Sequence, residues 1–189
     1  GYSAIKSMKR LAGIAATWVV LALPFSRSLL EASLAAHVLL QIVALAGVGY
    51  VLGTCLRTYW DGVVNRYNHW GIPGMLLAFF ALLIWLLPRS LDASLLEPGW
   101  EVAKFVSVPL MIGLPLSFSW PHLTIIGRGF VTALFAAMLT AMGVLYRVAP
   151  QRLCTNYLID AQQTLGAFAL LGGLCLAVGC VFYVVAESR

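Results

Sequence analysis

The sequence predicts an all-α integral membrane protein, a bundle of about six transmembrane helices with short connectors and one interfacial segment. Three observations predict it. Of 189 residues, 61% are hydrophobic and only 10% charged, with a mean hydropathy of +0.92, too apolar for the wetted surface of a soluble globule. The apolar residues gather in long runs, most near the roughly 20 residues that a crossing helix needs. What remains between the runs is too short for a soluble domain, so residues 1–189 read as one transmembrane domain.

The first span, residues 11–25, follows Lys6, Lys9 and Arg10. A basic stretch before an apolar one also describes a signal peptide, but no small-x-small site follows Pro24-Phe25-Ser26-Arg27, so the segment reads as an uncleaved span. The second span, 29–56, carries Glu31, Ser33, His37 and Gln41 in its first half. Residues 57–70 set Tyr59, Trp60, Tyr67 and Trp70 among Arg57, Asp61, Arg66 and His69, the composition of a segment lying in the headgroup layer. Gly71-Ile72-Pro73 opens a third span, 74–87, closed by Pro88-Arg89, and residues 90–98 form a connector. The fourth span, 100–120, contains Pro109, Gly113 and Pro115 and is expected to kink, its freed carbonyls finding partners in neighbouring helices or water. The fifth runs over 125–148. The sixth, 164–186, follows the polar connector 151–163.

The net charge of +5 does not point to nucleic acid, because the 12 Lys and Arg are spread between apolar runs, apart from the group at Lys6, Lys9 and Arg10, and form no stripe with aromatics. Orientation in a bilayer explains them better. With six crossings, Lys6, Lys9, Arg10, Arg57, Arg66, Arg128 and Arg189 share one side and Arg27, Arg89, Arg147, Arg152 and Lys104 the other, a bias of 7 to 5 sharpened because Glu31, Asp92, Glu97, Glu101 and Asp160 all fall on that second side. The expectation is a multi-pass protein of a bacterial inner membrane with both termini cytoplasmic. Cys55, Cys175 and Cys180 read as packing residues in or beside spans and Cys154 as a connector residue, without metal-binding spacing. Small residues recur at helical spacing: Ala133, Ala137 and Ala141 in the fifth span, Ala169, Gly173 and Ala177 in the sixth. Such stripes permit close helix approach within the chain or against other integral membrane subunits.

Polar side chains inside spans carry the functional information, since each needs a partner or water. Ser33, His37 and Gln41 are four apart and share a helix face that cannot look at lipid. His37 is either a metal ligand or proton-handling group, or a neutral histidine bonded to a neighbouring helix. Met138 and Met142, also four apart, either pack or offer thioether sulfur to Cu(I), so a copper site of His37, Met138 and Met142 is a candidate. Asp160, Gln162 and Gln163 enter the sixth span and can cap its first turn. Arg147 or Arg152 can pair with Asp160, and Lys104 with Glu101 on its own helix. His69 and His122 fall at membrane edges. There is no nucleophile elbow, HExxH, P-loop or dinucleotide fingerprint, and no matched acid and base, so no enzyme is expected.

Two stretches resemble the CtaG-type cytochrome c oxidase assembly factors. The first reads Leu34-Ala35-Ala36-His37-Val38-Leu39-Leu40-Gln41 and runs on to Gly47 and Gly49; the second reads Asp160-Ala161-Gln162-Gln163-Thr164-Leu165-Gly166. They match that family's early histidine motif and its late Asp-Gln-Gln segment, over about a fifth of the chain. Leucine and valine stand where the family has methionines, glutamine where it has a second histidine, and Ala161 separates the acid from its glutamines. The resemblance implies a copper or haem-copper enzyme setting, in which the chain is a non-catalytic accessory subunit or an assembly factor that requires no cofactor, copper being possible. A small transporter or channel is the alternative.

Overall fold

A computed structural model describes residues 2–153 and 157–187, and all regular structure among them is helical. Helices α1 (Tyr2–Ala22), α2 (Pro24–Glu31), α3 (Ile42–Tyr67), α4 (Ile72–Leu86), α5 (Pro88–Leu96), α6 (Pro98–Ser107), α7 (Leu114–Ser119), α8 (Ile125–Val148) and α9 (Ile159–Glu187) follow in order. Five stretches are long and apolar enough to cross a membrane: Ala36–Val64, His69–Leu86, Pro98–His122, Ile125–Val148 and Ile159–Ala186. A sixth exists if α1 and α2, bent by 63° at their junction, count as one broken span. The chain forms two compact units, one of Gly1–Ala32 with Ala36–His122, the other of Ser33–Ala35 with Leu123–Arg189.

In the first unit, several boundaries differ from those predicted. Pro24 has no N–H, and it holds Leu23 extended at φ −62°, ψ 140°, so the helix bends there and restarts as α2. Residues 29–31 therefore close this bent pair instead of opening the second span, which begins after a turn at Ala32–Ser33 with the π-helical segment Ala36–Gln41. Nor do residues 57–70 form a separate interfacial element. Helix α3 continues unbroken through them to Tyr67, with Tyr59, Trp60, Tyr67 and Trp70 exposed. The connector 90–98 is itself largely helix α5.

The turn after α3 is tight, with Trp70 and Gly71 both at positive φ, 66° and 73°. Asn68 steadies it. Its Oδ1 accepts from the Gly74 amide at 2.9 Å, satisfying an orphan donor at the start of α4, and its Nδ2 donates to Ser119 Oγ at 2.9 Å.

Where its prolines predict a kink, the fourth span, Pro98–His122, remains one helical stretch and changes register instead. It runs α6, then a π-helical stretch Val108–Gly113, then α7, and this helix packs against both α3 and α4. Pro109 cannot bond back to Phe105, and the freed Phe105 carbonyl accepts from Trp18 Nε1 of α1 at 2.9 Å. Pro121 likewise leaves the Ser117 carbonyl open, and Arg57 donates to it from α3 at 2.6 Å. Glycines let the backbones meet: a methyl group on Gly49 would strike the backbone of Pro109, and one on Gly113 the carbonyl of Ala46.

The second unit is a close α8–α9 hairpin. The Thr124 hydroxyl caps α8 by accepting from the Gly127 amide at 3.1 Å. Gly143 faces Gly166 and Leu170 across the pair, and Gly173 faces Ala136 and Thr140. Helix α9 starts at Ile159, five residues before the predicted span, so Asp160, Gln162 and Gln163 lie inside it.

Candidate functional site: a buried ionic cluster around Lys104

Within the first unit, three elements bring charge together: α2 supplies Arg27 and Glu31, the π-helical segment His37 and Gln41, and α6 Glu101 and Lys104. Lys104 is the centre and has no exposed surface. Its ammonium donates to Glu31 Oε1 at 2.9 Å, Gln41 Oε1 at 3.0 Å and His37 Nε2 at 3.1 Å. Three donors thus meet three acceptors, the full capacity of the group. Gln41 Nε2 in turn donates to Glu31 Oε1 at 3.1 Å, closing a ring with Lys104.

A second pair flanks the first. Arg27 binds Glu101 across the helices and lies 3.7 Å from Glu31 on its own helix. The two cross-pairs, Arg27 with Glu101 and Glu31 with Lys104, join α2 to α6 and balance their charges. Lys104 stands about 9 Å along the helix from Pro98, where its apolar stretch begins. An ammonium with no exposed surface needs this full set of partners.

The chemistry of Lys104 assigns the histidine tautomer. An ammonium has no lone pair, so His37 Nε2 must accept, which makes the ring neutral with its proton on Nδ1. As arranged, His37 presents Nε2 to Lys104 and not to a metal, and a copper ion there would have to displace the cation. The donor set around His37 therefore does not fit copper. No group of three or more His, Cys, Asp or Glu side chains that could hold a metal occurs among the described residues.

Other predicted residues go elsewhere. Ser33 is exposed at the turn before the π-helical segment, so it does not share the buried face of His37 and Gln41. Lys104 pairs with Glu31 across helices, and not with Glu101, whose carboxylate is taken by Arg27. Met138, half-buried, and Met142, buried, belong to α8 in the second unit, whereas His37 belongs to the first.

Gln162 is buried, but it does not cap the first turn of α9. Its Nε2 donates to the Tyr146 carbonyl at 3.2 Å, one of the orphan carbonyls ending α8, and to the Gln151 carbonyl at 3.4 Å, while its Oε1 accepts from the Leu153 amide at 2.9 Å. Asp160 and Gln163 are exposed, and Asp160 forms no ion pair with Arg147 or Arg152. His122 Nδ1 lies 2.8 Å from the Phe118 carbonyl, and His69 is exposed with its ring edge-on to Trp70. Cys154 lies outside the described residues; Cys55, Cys175 and Cys180 are free thiols.

Sequence reasoning noticed Glu31 and Lys104 singly and did not join them. The signal was partial: Arg27 with Glu31 and Glu101 with Lys104 are two acid–base pairs at helical spacing beside apolar runs, and exchanging partners between them lets each charge be met across helices. Comparison with protein-family models, with curated proteins and with solved structures finds no match to this chain.

Proposed function

We propose that this chain is a non-catalytic membrane-embedded subunit, working as an accessory or assembly component of a bacterial copper or haem-copper enzyme complex. The observation that carries the non-catalytic reading is the closure of the Lys104 cluster: its ammonium spends every donor on Glu31, His37 and Gln41. A catalytic lysine keeps its amine for a substrate, whereas one with all three protons committed works as a fastener.

Binding to other membrane subunits is supported by the second unit. Packing of α8 on α9 consumes Ala136, Ala169 and Gly173 but leaves Ala133, Ala137, Ala141 and Ala177 exposed along a groove of about 580 Å³. The copper-enzyme setting rests on the resemblance around His37 and Asp160, and the occupied Nε2 favours the accessory subunit over a copper carrier.

Native mass spectrometry of protein released from its own membrane in mild detergent tests the proposal. A stoichiometric larger membrane partner is expected, and a chain that always runs alone overturns the subunit reading. Cu(I) competition should find no tight site; copper affinity lost in His37→Ala would restore the assembly-factor version. A small transporter or channel is the second reading, favoured by the burial of Lys104, paired with Glu31, inside an apolar stretch. Flux in proteoliposomes that disappears in His37→Ala would establish it.

A further inference from the structure

Helices α1 and α3 pack side by side yet leave a groove of about 620 Å³ between them. Its floor is apolar and low, formed by Gly13, Ile14, Ala44, Gly47 and Val48, and a methyl group added at Gly13 or Gly47 would touch nothing. Trp18, late in α1, bonds to Phe105, whose neighbour Lys104 bonds to Gln41 just before α3, so the two helices run antiparallel and Arg10 lies toward the end of the groove lined by Thr54 and Cys55. Arg10 is exposed and has no hydrogen-bond or ion-pair partner among the described residues. In the sequence it directly precedes the apolar run at residues 11–22, a position expected at headgroup depth.

We propose that this groove holds one acyl chain of an anionic phospholipid, with Arg10 on its phosphate. From Arg10 to Thr17 the groove runs about 10 Å along α1, enough for roughly the first eight methylenes of a chain. Charge decides the occupant. A neutral helix laid in the groove would cover an unpaired guanidinium, whereas a lipid phosphate offers it charge-assisted hydrogen bonds in the geometry arginine prefers.

The test is native mass spectrometry of the full chain from nanodiscs containing equal phosphatidylglycerol and phosphatidylcholine with matched acyl chains. Wild type is expected to retain one phosphatidylglycerol about fivefold over phosphatidylcholine. Arg10→Gln should remove that preference and Arg10→Lys should keep much of it, while Gly47→Leu, which fills the groove and leaves the charge, should lower retention of both lipids. Equal retention of the two lipids by wild type, which needs no variant to fold, overturns the proposal. So does a preference undiminished in Arg10→Gln.

Discussion

Lys104 shows how one buried charge dictates its surroundings. Lys104→Met leaves Glu31 without its closest cation, with only the 3.7 Å contact to Arg27, and the expected cost is about 3–5 kcal/mol, read as a lower melting temperature in detergent. Adding Glu31→Gln should recover most of the loss, since the remaining charges, Arg27 and Glu101, pair with each other; a double variant no better than the single one contradicts the clamp. Trp18→Phe should cost about 1–3 kcal/mol by stranding the Phe105 carbonyl. In a Pro109→Ala background the same change should cost far less, because residue 109 regains an amide for that carbonyl. At this scale the sequence was half legible. His37 and Gln41 at spacing four announced a buried polar face, and the prolines announced freed carbonyls. Which residues would answer them depended on contacts 60 to 87 residues away, as between Arg57 and Ser117, His37 or Gln41 and Lys104, or Trp18 and Phe105, and no local pattern encodes those.

Among the helices, the apolar runs located the spans well wherever the ends carried clear punctuation. Residues 125–148 were predicted with the bounds found, between a Thr124 cap and Pro150. Boundaries failed where hydropathy stayed high across a break, as at Pro24 and Ser33, since apolar composition is the same on both sides of a bend. The small-residue stripes were legible as faces, but not which face would be spent inside the chain. In the hairpin, a side chain at Gly143 would come within 2.8 Å of the Gly166 carbonyl and the Leu170 amide. Gly143→Leu should therefore force α8 and α9 apart and destabilise the unit by about 1–3 kcal/mol in thermal unfolding. Ala137→Leu, on the exposed face, should change melting by less than about 0.5 kcal/mol while weakening the larger complex on native gels. If both variants behave alike, the assignment of inner and outer faces is mistaken.

For the molecule as a whole, the decisive quantity is the parity of crossings. If the bent pair α1–α2 completes a passage, six crossings put both termini on one side; if it turns back, five put them on opposite sides. Cysteines introduced singly at Asp92 and Gln151, with the four native ones replaced, should label from one face and a cysteine at His69 from the other under either count. A cysteine at Ser33 decides between them: in the six-crossing arrangement it labels opposite to a tag at the N-terminus. Composition made the long apolar helices plain, but parity hangs on a single proline, which composition averages away. The carbonyls exposed by Pro109 and Pro121 carry one last consequence, for the order of assembly. Trp18 and Arg57, which answer them, are both synthesised before the acceptors, so the ribosome delivers the receiving surface first and the flawed helix arrives at a berth already built. Expressed without its first 70 residues, the remainder should be degraded in cells, and supplying those residues as a separate polypeptide should rescue it.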